Sequence, residues 1–185
     1  MRIKIDVNQV RENFEVLKDF DAFDESRELV AQGKLPVEMI QAMSLRPEIL
    51  KAFAHTGEGL YPGGLLERSL KEKVILKSSQ DNACQFCANS HRDMMRMIGI
   101  PEPQILDLEN PENLTPREQL ALAYTAAVMK DSNRISDELF AKLKEKFSDP
   151  EIVELTYLIG FINHLNLFNN ALRVTYHGDY EVEST

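Results

Sequence analysis

A chain of 185 residues, 43% apolar and 28% charged, is long enough to bury a core as one domain and is not the material of a disordered chain. Its formal charge of −9 sets the average surface against phosphate backbones and anionic membranes, so no nucleic-acid or membrane partner is expected. Eight glycines and eight prolines are too few for a loop-rich or low-complexity protein.

In chain order, Met1 to Val7 has no apolar run and no small-residue cleavage site, so it does not read as a signal peptide. Ile3, Ile5 and Val7 alternate as in a strand, but one strand is not a sheet. Residues 1–34 read as an N-terminal helical extension and residues 35–185 as the domain proper. Pro36 opens a helix through Met39, Ile40 and Met43, and Pro47 opens another through Ile49, Leu50 and Phe53. The glycines and Pro62 between His55 and Gly64 predict a loop. Leu65 to about Ser79 is the next helix. Another starts near Cys84 and stops at Gly99, with Pro101 just beyond.

Thr115-Pro116-Arg117-Glu118 is a capping box with proline at the first helical position, and Ser136 precedes a shorter helix. Ser148-Asp149-Pro150-Glu151 repeats the device before a helix that extends to about Tyr176. Asp179 to Glu183 reads as a solvated acidic end. The expected fold class is all-α.

That final helix is apolar nearly all round, from Ile152 and Val153 through Tyr157 and Phe161 to Leu172. A surface helix needs one apolar stripe, so this helix should be central to the core or shared with another subunit, and a homo-oligomer is expected. No stretch reaches about 18 uninterrupted apolar residues, and the chain is expected to be cytoplasmic. In a reducing compartment a close cysteine pair is more often redox-active or metal-binding than a structural staple.

The pair is Cys84 and Cys87, with His91 following. On a helix these three positions lie nearly in line, and the cysteines fall in the first turn, where unpaired N–H groups favour a thiolate. A thiolate can attack the O–O bond of a hydroperoxide to give a sulfenic acid, which a second thiol condenses to a disulfide. Both steps move protons, which is work for a histidine backed by a carboxylate. Glu72, on the preceding helix, could supply the carboxylate if the two helices form a hairpin.

Other readings of the same residues stand beside this one. Cys84, Cys87, His91 and His164 could complete a tetrahedral zinc site in a helical interaction module. The cysteine pair could also serve a protein disulfide reductase or a redox sensor. Taken alone, Glu72 within Lys71-Glu72-Lys73 would be a solvated surface charge, and His55, His164 and His177 would have surface or satisfied polar roles. Met94, Met95 and Met97 read as packing. His164-Leu165-Asn166 stands inside the apolar helix, where buried polar groups would need partners.

Glu72, Cys84, Cys87 and His91 follow the spacing E-x11-C-x2-C-x3-H. In this the chain resembles the alkyl hydroperoxidase D-like branch of the carboxymuconolactone decarboxylase family, over about residues 35–176. The resemblance implies a compact helical fold assembled into trimers or hexamers. It also implies reduction of hydroperoxides without a cofactor or metal. By that analogy Cys87 is the peroxidatic residue. Cys84, nearer the helix end and more exposed, resolves the sulfenic acid and meets an external thiol or dithiol reductant, while His91 and Glu72 form a proton relay. One departure is Phe86, which stands where the hydroperoxidases carry a second histidine. A phenyl ring cannot relay protons, so the chain resembles the broader peroxidase-related members. Decarboxylase members generally lack the cysteine pair, so its presence argues against lactone decarboxylation.

Overall fold

The computed structural model describes residues 1–178; the acidic run from Asp179 lies outside the described residues. Among them are ten α-helices with short 3-10 turns and no strand, as the all-α expectation requires. No helix among the described residues is long and apolar enough to cross a membrane. The chain divides into two compact units, Met1–Pro62 with the C-terminal residues from Ala171, and Gly63–Asn170.

The first unit holds α1 (Val7–Phe14), α2 (Asp24–Ala31), α3 (Glu38–Ser44) and α4 (Pro47–Glu58). The alternating start is not a strand. Asp6 accepts hydrogen bonds from the amides of Asn8 and Gln9, at 3.0 and 3.3 Å, and so caps α1. Val10, Phe14, Leu17, Phe20, Leu50 and Ala54 form the buried centre of the unit. The loop expected from His55 begins four residues late, because α4 continues to Glu58. His55 sets its ring edge-on to Phe20 at 4.7 Å, which gives this stretch packing that glycine content alone does not reveal. His177 pairs with Glu38 at 2.5 Å, a satisfied polar role.

The second unit contains α5 (Arg68–Asp81), α6 (Gln85–Met97), α7 (Glu102–Leu106), α8 (Pro116–Asp131), α9 (Asp137–Lys146) and most of α10 (Asp149–Leu172). The capping devices fall where the sequence puts them. Thr115 and Glu118 form a full capping box, and Ser136 accepts from the Leu139 amide. Glu151 accepts from the Ser148 amide at 2.7 Å. α10 stops at Leu172, short of Tyr176, because Arg173 takes a left-handed conformation with φ of 52°. The short α7 has no expected counterpart in the sequence reading.

The central helix of this unit is α5, not α10. Lys71, Glu72 and Lys73 are all buried, so Glu72 is not the solvated charge it would be if read alone. Successive residues on a helix point about 100° apart, so the three charges leave α5 in three directions and each meets an opposite charge. Lys71 reaches Glu154 of α10 at 2.6 Å, and Lys73 reaches Glu118 of α8. Glu72 accepts from Arg68 at 2.6 Å and faces His91 of α6 at 2.7 Å. Glu154 also receives the amides of Leu65 and Leu66, at 2.6 and 3.1 Å. The loop before α5 thus folds onto this carboxylate. Gly64, at φ +100°, has no room for a Cβ, which would lie 2.5 Å from a Glu154 oxygen.

α10 buries Ile152, Leu155, Leu158, Ile159, Ile162 and Leu165 on one face. The other face leaves Val153, Tyr157 and Leu167 about 60% exposed or more. α10 therefore gives the core one face and is not enclosed all round within the chain.

Burial alone would raise Glu154 and Glu118, but the Lys71 ammonium with the Leu65 and Leu66 amides, and Lys73 with Thr115, outweigh it and hold both below the usual carboxylate value. Glu151 is lowered to about 2, first by the Ser148 amide and hydroxyl and then by Arg117. Folded-state values below the unfolded one mean that the unfolded chain takes up protons first as pH falls. The stability these groups contribute should be full above about pH 5 and be lost progressively toward pH 2. Urea midpoints at pH 7 and pH 3.5 check this, and equal midpoints would contradict it.

Candidate active site

α5 and α6 meet in a turn of two residues, Asn82 and Ala83, and the turn places Cys84. The Cys84 amide donates to the Ser79 carbonyl at 2.8 Å and the Ala83 amide to the Gln80 carbonyl at 3.0 Å, the bonding that ends a helix on a left-handed residue. That residue is Ala83, at φ 51°, where glycine is usual. The same Cys84 caps α6, its sulfur accepting from the Cys87 amide at 3.4 Å. One residue therefore closes one helix and opens the next.

The hairpin brings all four expected residues together. Cys84 and Cys87 are free thiols with their sulfurs 2.8 Å apart, Cys84 donating. His91, one turn further along α6, turns Nδ1 to Glu72 Oε2 at 2.7 Å. Arg68 Nε donates to the other carboxylate oxygen at 2.6 Å. The Glu72 side chain has no exposed surface, while His91 keeps 18%, so the carboxylate is held in place and the imidazole lies between it and solvent.

Both sulfurs are buried, Cys84 at 1% and Cys87 at 3% exposure. This corrects the expectation that Cys84 is the more exposed of the pair: its turn is folded against polar side chains from α10. The two sulfurs titrate as a unit. Donating to Cys87 raises Cys84 above the ordinary thiol value, and burial raises it further. Cys87 is lowered to about 6. The Cys84 S–H lowers it most, and the Asn169 and Asn166 amides and the charge of His91 add to this, together outweighing burial. Phe86, between the two cysteines, is buried.

The sequence reading found neither Arg68 nor the full set of asparagines. Of the polar stretch His164-Leu165-Asn166, His164 is exposed, while Asn166 is buried and has two partners, donating to Ser79 Oγ at 3.1 Å and accepting from Asn82 at 3.0 Å. Asn82 also donates to Asn163 at 2.8 Å, and Asn169 donates to Cys87 Sγ at 3.2 Å. Asn163, Asn166 and Asn169 recur every three residues along an apolar helix. That recurrence is a sequence signal for one polar stripe on a buried face.

Other expected constellations do not assemble. His164 is exposed and lines a groove with Tyr124 and Phe140. Among the described residues, no three His, Cys, Asp or Glu side chains gather as metal ligands. Met95 is buried and Met97 is 77% exposed.

The model of the carboxymuconolactone decarboxylase family matches residues 47–127, a span that contains Glu72, Cys84, Cys87 and His91. A solved structure from Agrobacterium tumefaciens, of a protein of unknown function with a suggested antioxidant-defence role, is 30% identical and superposes with a TM-score of 0.68. The match covers 74% of this chain and 96% of that one. The chain belongs to the carboxymuconolactone decarboxylase family. An uncharacterised peroxidase-related protein from Silicibacter sp. TM1040 shares the fold at 21% identity with a TM-score of 0.74, over 89% of this chain and 86% of that one. A debrominase solved in complex with 2,3,4-tribromopyrrole shares it at 17% identity with a TM-score of 0.70, over 87% and 88%.

A left-handed alanine costs about 1 kcal/mol relative to glycine at the same position. Ala83→Gly should therefore raise the unfolding free energy by up to about that amount without moving Cys84. Urea titration checks this, and a loss of stability would mean that Ala83 is not strained.

Proposed function

We propose that this family member is a thiol-dependent peroxidase that reduces hydroperoxides, organic ones included, with Cys87 as the attacking residue. The observation that carries the reading is the convergence of hydrogen-bond donors on the Cys87 sulfur, beside a histidine already paired with a buried carboxylate. The 17%-identical debrominase has the same fold, so the fold alone does not choose the reaction; the residues in the site support it.

The Cys87 thiolate attacks the terminal oxygen of the hydroperoxide. An S–O bond forms as the O–O bond breaks, and the sulfur supplies two electrons. The departing alkoxide takes a proton from His91, whose orientation Glu72 fixes. Cys84, 2.8 Å away, then gives up its proton to His91 and attacks the sulfenic sulfur. The S–S bond forms and the hydroxide leaves as water. The sum is one hydroperoxide and two thiols giving an alcohol, water and a disulfide. An external thiol or dithiol returns the disulfide to the starting pair. The need for that reductant fits a cytoplasmic setting, and no step requires a cofactor or metal.

The reading extends to assembly. Val153 and Tyr157, exposed on α10, border the groove of about 690 Å³ that Tyr124, Phe140 and Phe161 also line. An apolar face of this kind fits a second copy of the chain, in trimers or hexamers. Tyr157→Arg should shift the mass in solution toward the monomer; an unchanged mass would place the contact elsewhere.

Because the thiolate is the attacking form, the rate of thiol loss with cumene hydroperoxide should rise with pH through about 6, the lowered Cys87 value, and level off above it. Stopped-flow mixing across pH 4.5–8 is the measurement. A rate that keeps climbing to the ordinary thiol range of about 8.5 would reject the activated-thiolate account.

A further inference from the structure

Two structural features compete for the negative charge of the cysteine pair. The start of α6 favours Cys84, whose sulfur caps the helix and accepts the Cys87 amide at 3.4 Å. The polar stripe of α10 favours Cys87, whose sulfur receives Asn169 Nδ2 at 3.2 Å and the Cys84 S–H at 2.8 Å. A neutral thiol sulfur is a weak acceptor, so a buried carboxamide gains a full hydrogen bond from it only when the sulfur is ionised. Asn169 is 1% exposed and directs its donor at the one atom of α6 that the reaction consumes. Its neighbour Asn166 donates Nδ2 to Ser79 and holds the turn, and its amide favours ionisation of both sulfurs alike, so it does not choose between them.

We infer that Asn169 is a further catalytic residue, one that selects Cys87 over Cys84 as the thiolate by donating a hydrogen bond to its sulfur. The inference rests on the peroxidase reading only for the name of the reaction; the choice between sulfurs is a property of the resting protein. Once Cys87 holds the charge, the S–H of Cys84 points at it, so the attacking and resolving roles follow from one amide on a helix 82 residues further along. The titratable and charged groups that face Cys87 are Cys84 at the start of α6 and His91 within it. Glu72 and Arg68 of α5 act through His91. The groups facing it from α10 are uncharged amides.

The test is limited alkylation of the reduced full chain with iodoacetamide over a pH series, with peptide mapping to assign the label, and a parallel titration of thiolate ultraviolet absorbance. Wild type should be labelled at Cys87 with a midpoint near 6. In Asn169→Leu the midpoint should rise by about one pH unit, the label at Cys87 at pH 5.5 should fall about tenfold, and the remaining label should shift toward Cys84. Asn169→Asp keeps the shape while removing the donor, so it carries the comparison if the leucine variant does not fold, and its midpoint should rise at least as far. An unchanged midpoint and labelling ratio in a folded variant, shown folded by circular dichroism, would overturn the assignment. So would a downward shift, which would mean that the amide oxygen faces the sulfur. If the labelling shifts as stated while no form consumes peroxide, the peroxidase reading fails and the role of Asn169 stands.

Discussion

Glu72 has no exposed side-chain surface, and a carboxylate in that position must be neutralised where it stands or it will not stay ionised. Arg68, one turn back on the same helix, and His91, on the next helix, do this together. Much of the site follows. To reach Glu72, His91 must face α5, which fixes the rotation of α6 and turns Cys87, one helical turn before His91, toward the same interior. Removing one partner of a buried ion pair costs about 3–5 kcal/mol, so this contact sets both the packing of the hairpin and the position of its chemistry. The flanking pairs Lys71–Glu154 and Lys73–Glu118 tie the same helix to α10 and α8. The helix that carries the acid is therefore held from three sides.

Holding a site with buried charge has a consequence for the sulfurs. The interior that strengthens the Glu72–His91 contact also penalises a thiolate, and burial acts to raise both cysteines. Ionisation of Cys87 thus depends on donors placed at its sulfur, and α10 and Cys84 supply them. The cost of burying Asn166 and Asn169, and of half-burying Asn82 and Asn163, is met by letting them bond one another, the α5–α6 turn and the thiol pair. The strained Ala83 is tolerated in that setting, its neighbours Asn82 and Cys84 each being fixed by α10 or by a helix end.

Local signals in the sequence were legible because their causes are local. The capping boxes at Thr115 and Ser148 and the cap at Ser136 each involve residues within three positions of one another, and all three helices start where those residues put them. The all-α class and the family follow from helical punctuation and from the spacing of Glu72, Cys84, Cys87 and His91. The centrality of α5 was not legible. Lys71-Glu72-Lys73 looks like a surface, and partners on three other helices, 19 to 83 residues away, turn it into an interior. The burial of Cys84 was missed for the same reason, since the side chains lying against its turn come from α10. Asn166 showed half of that stripe. The three-residue recurrence from Asn163 to Asn169 held the rest.

Whether Cys87 attacks and Cys84 resolves is tested most directly by a thiol count on reduced, metal-free protein before and after one equivalent of cumene hydroperoxide. Cys84→Ser and Cys87→Ser are run alongside. Wild type should fall from two thiols to none, Cys84→Ser should hold a trapped sulfenic acid, and Cys87→Ser should keep its thiol. Wild-type thiols that survive the peroxide would contradict both roles.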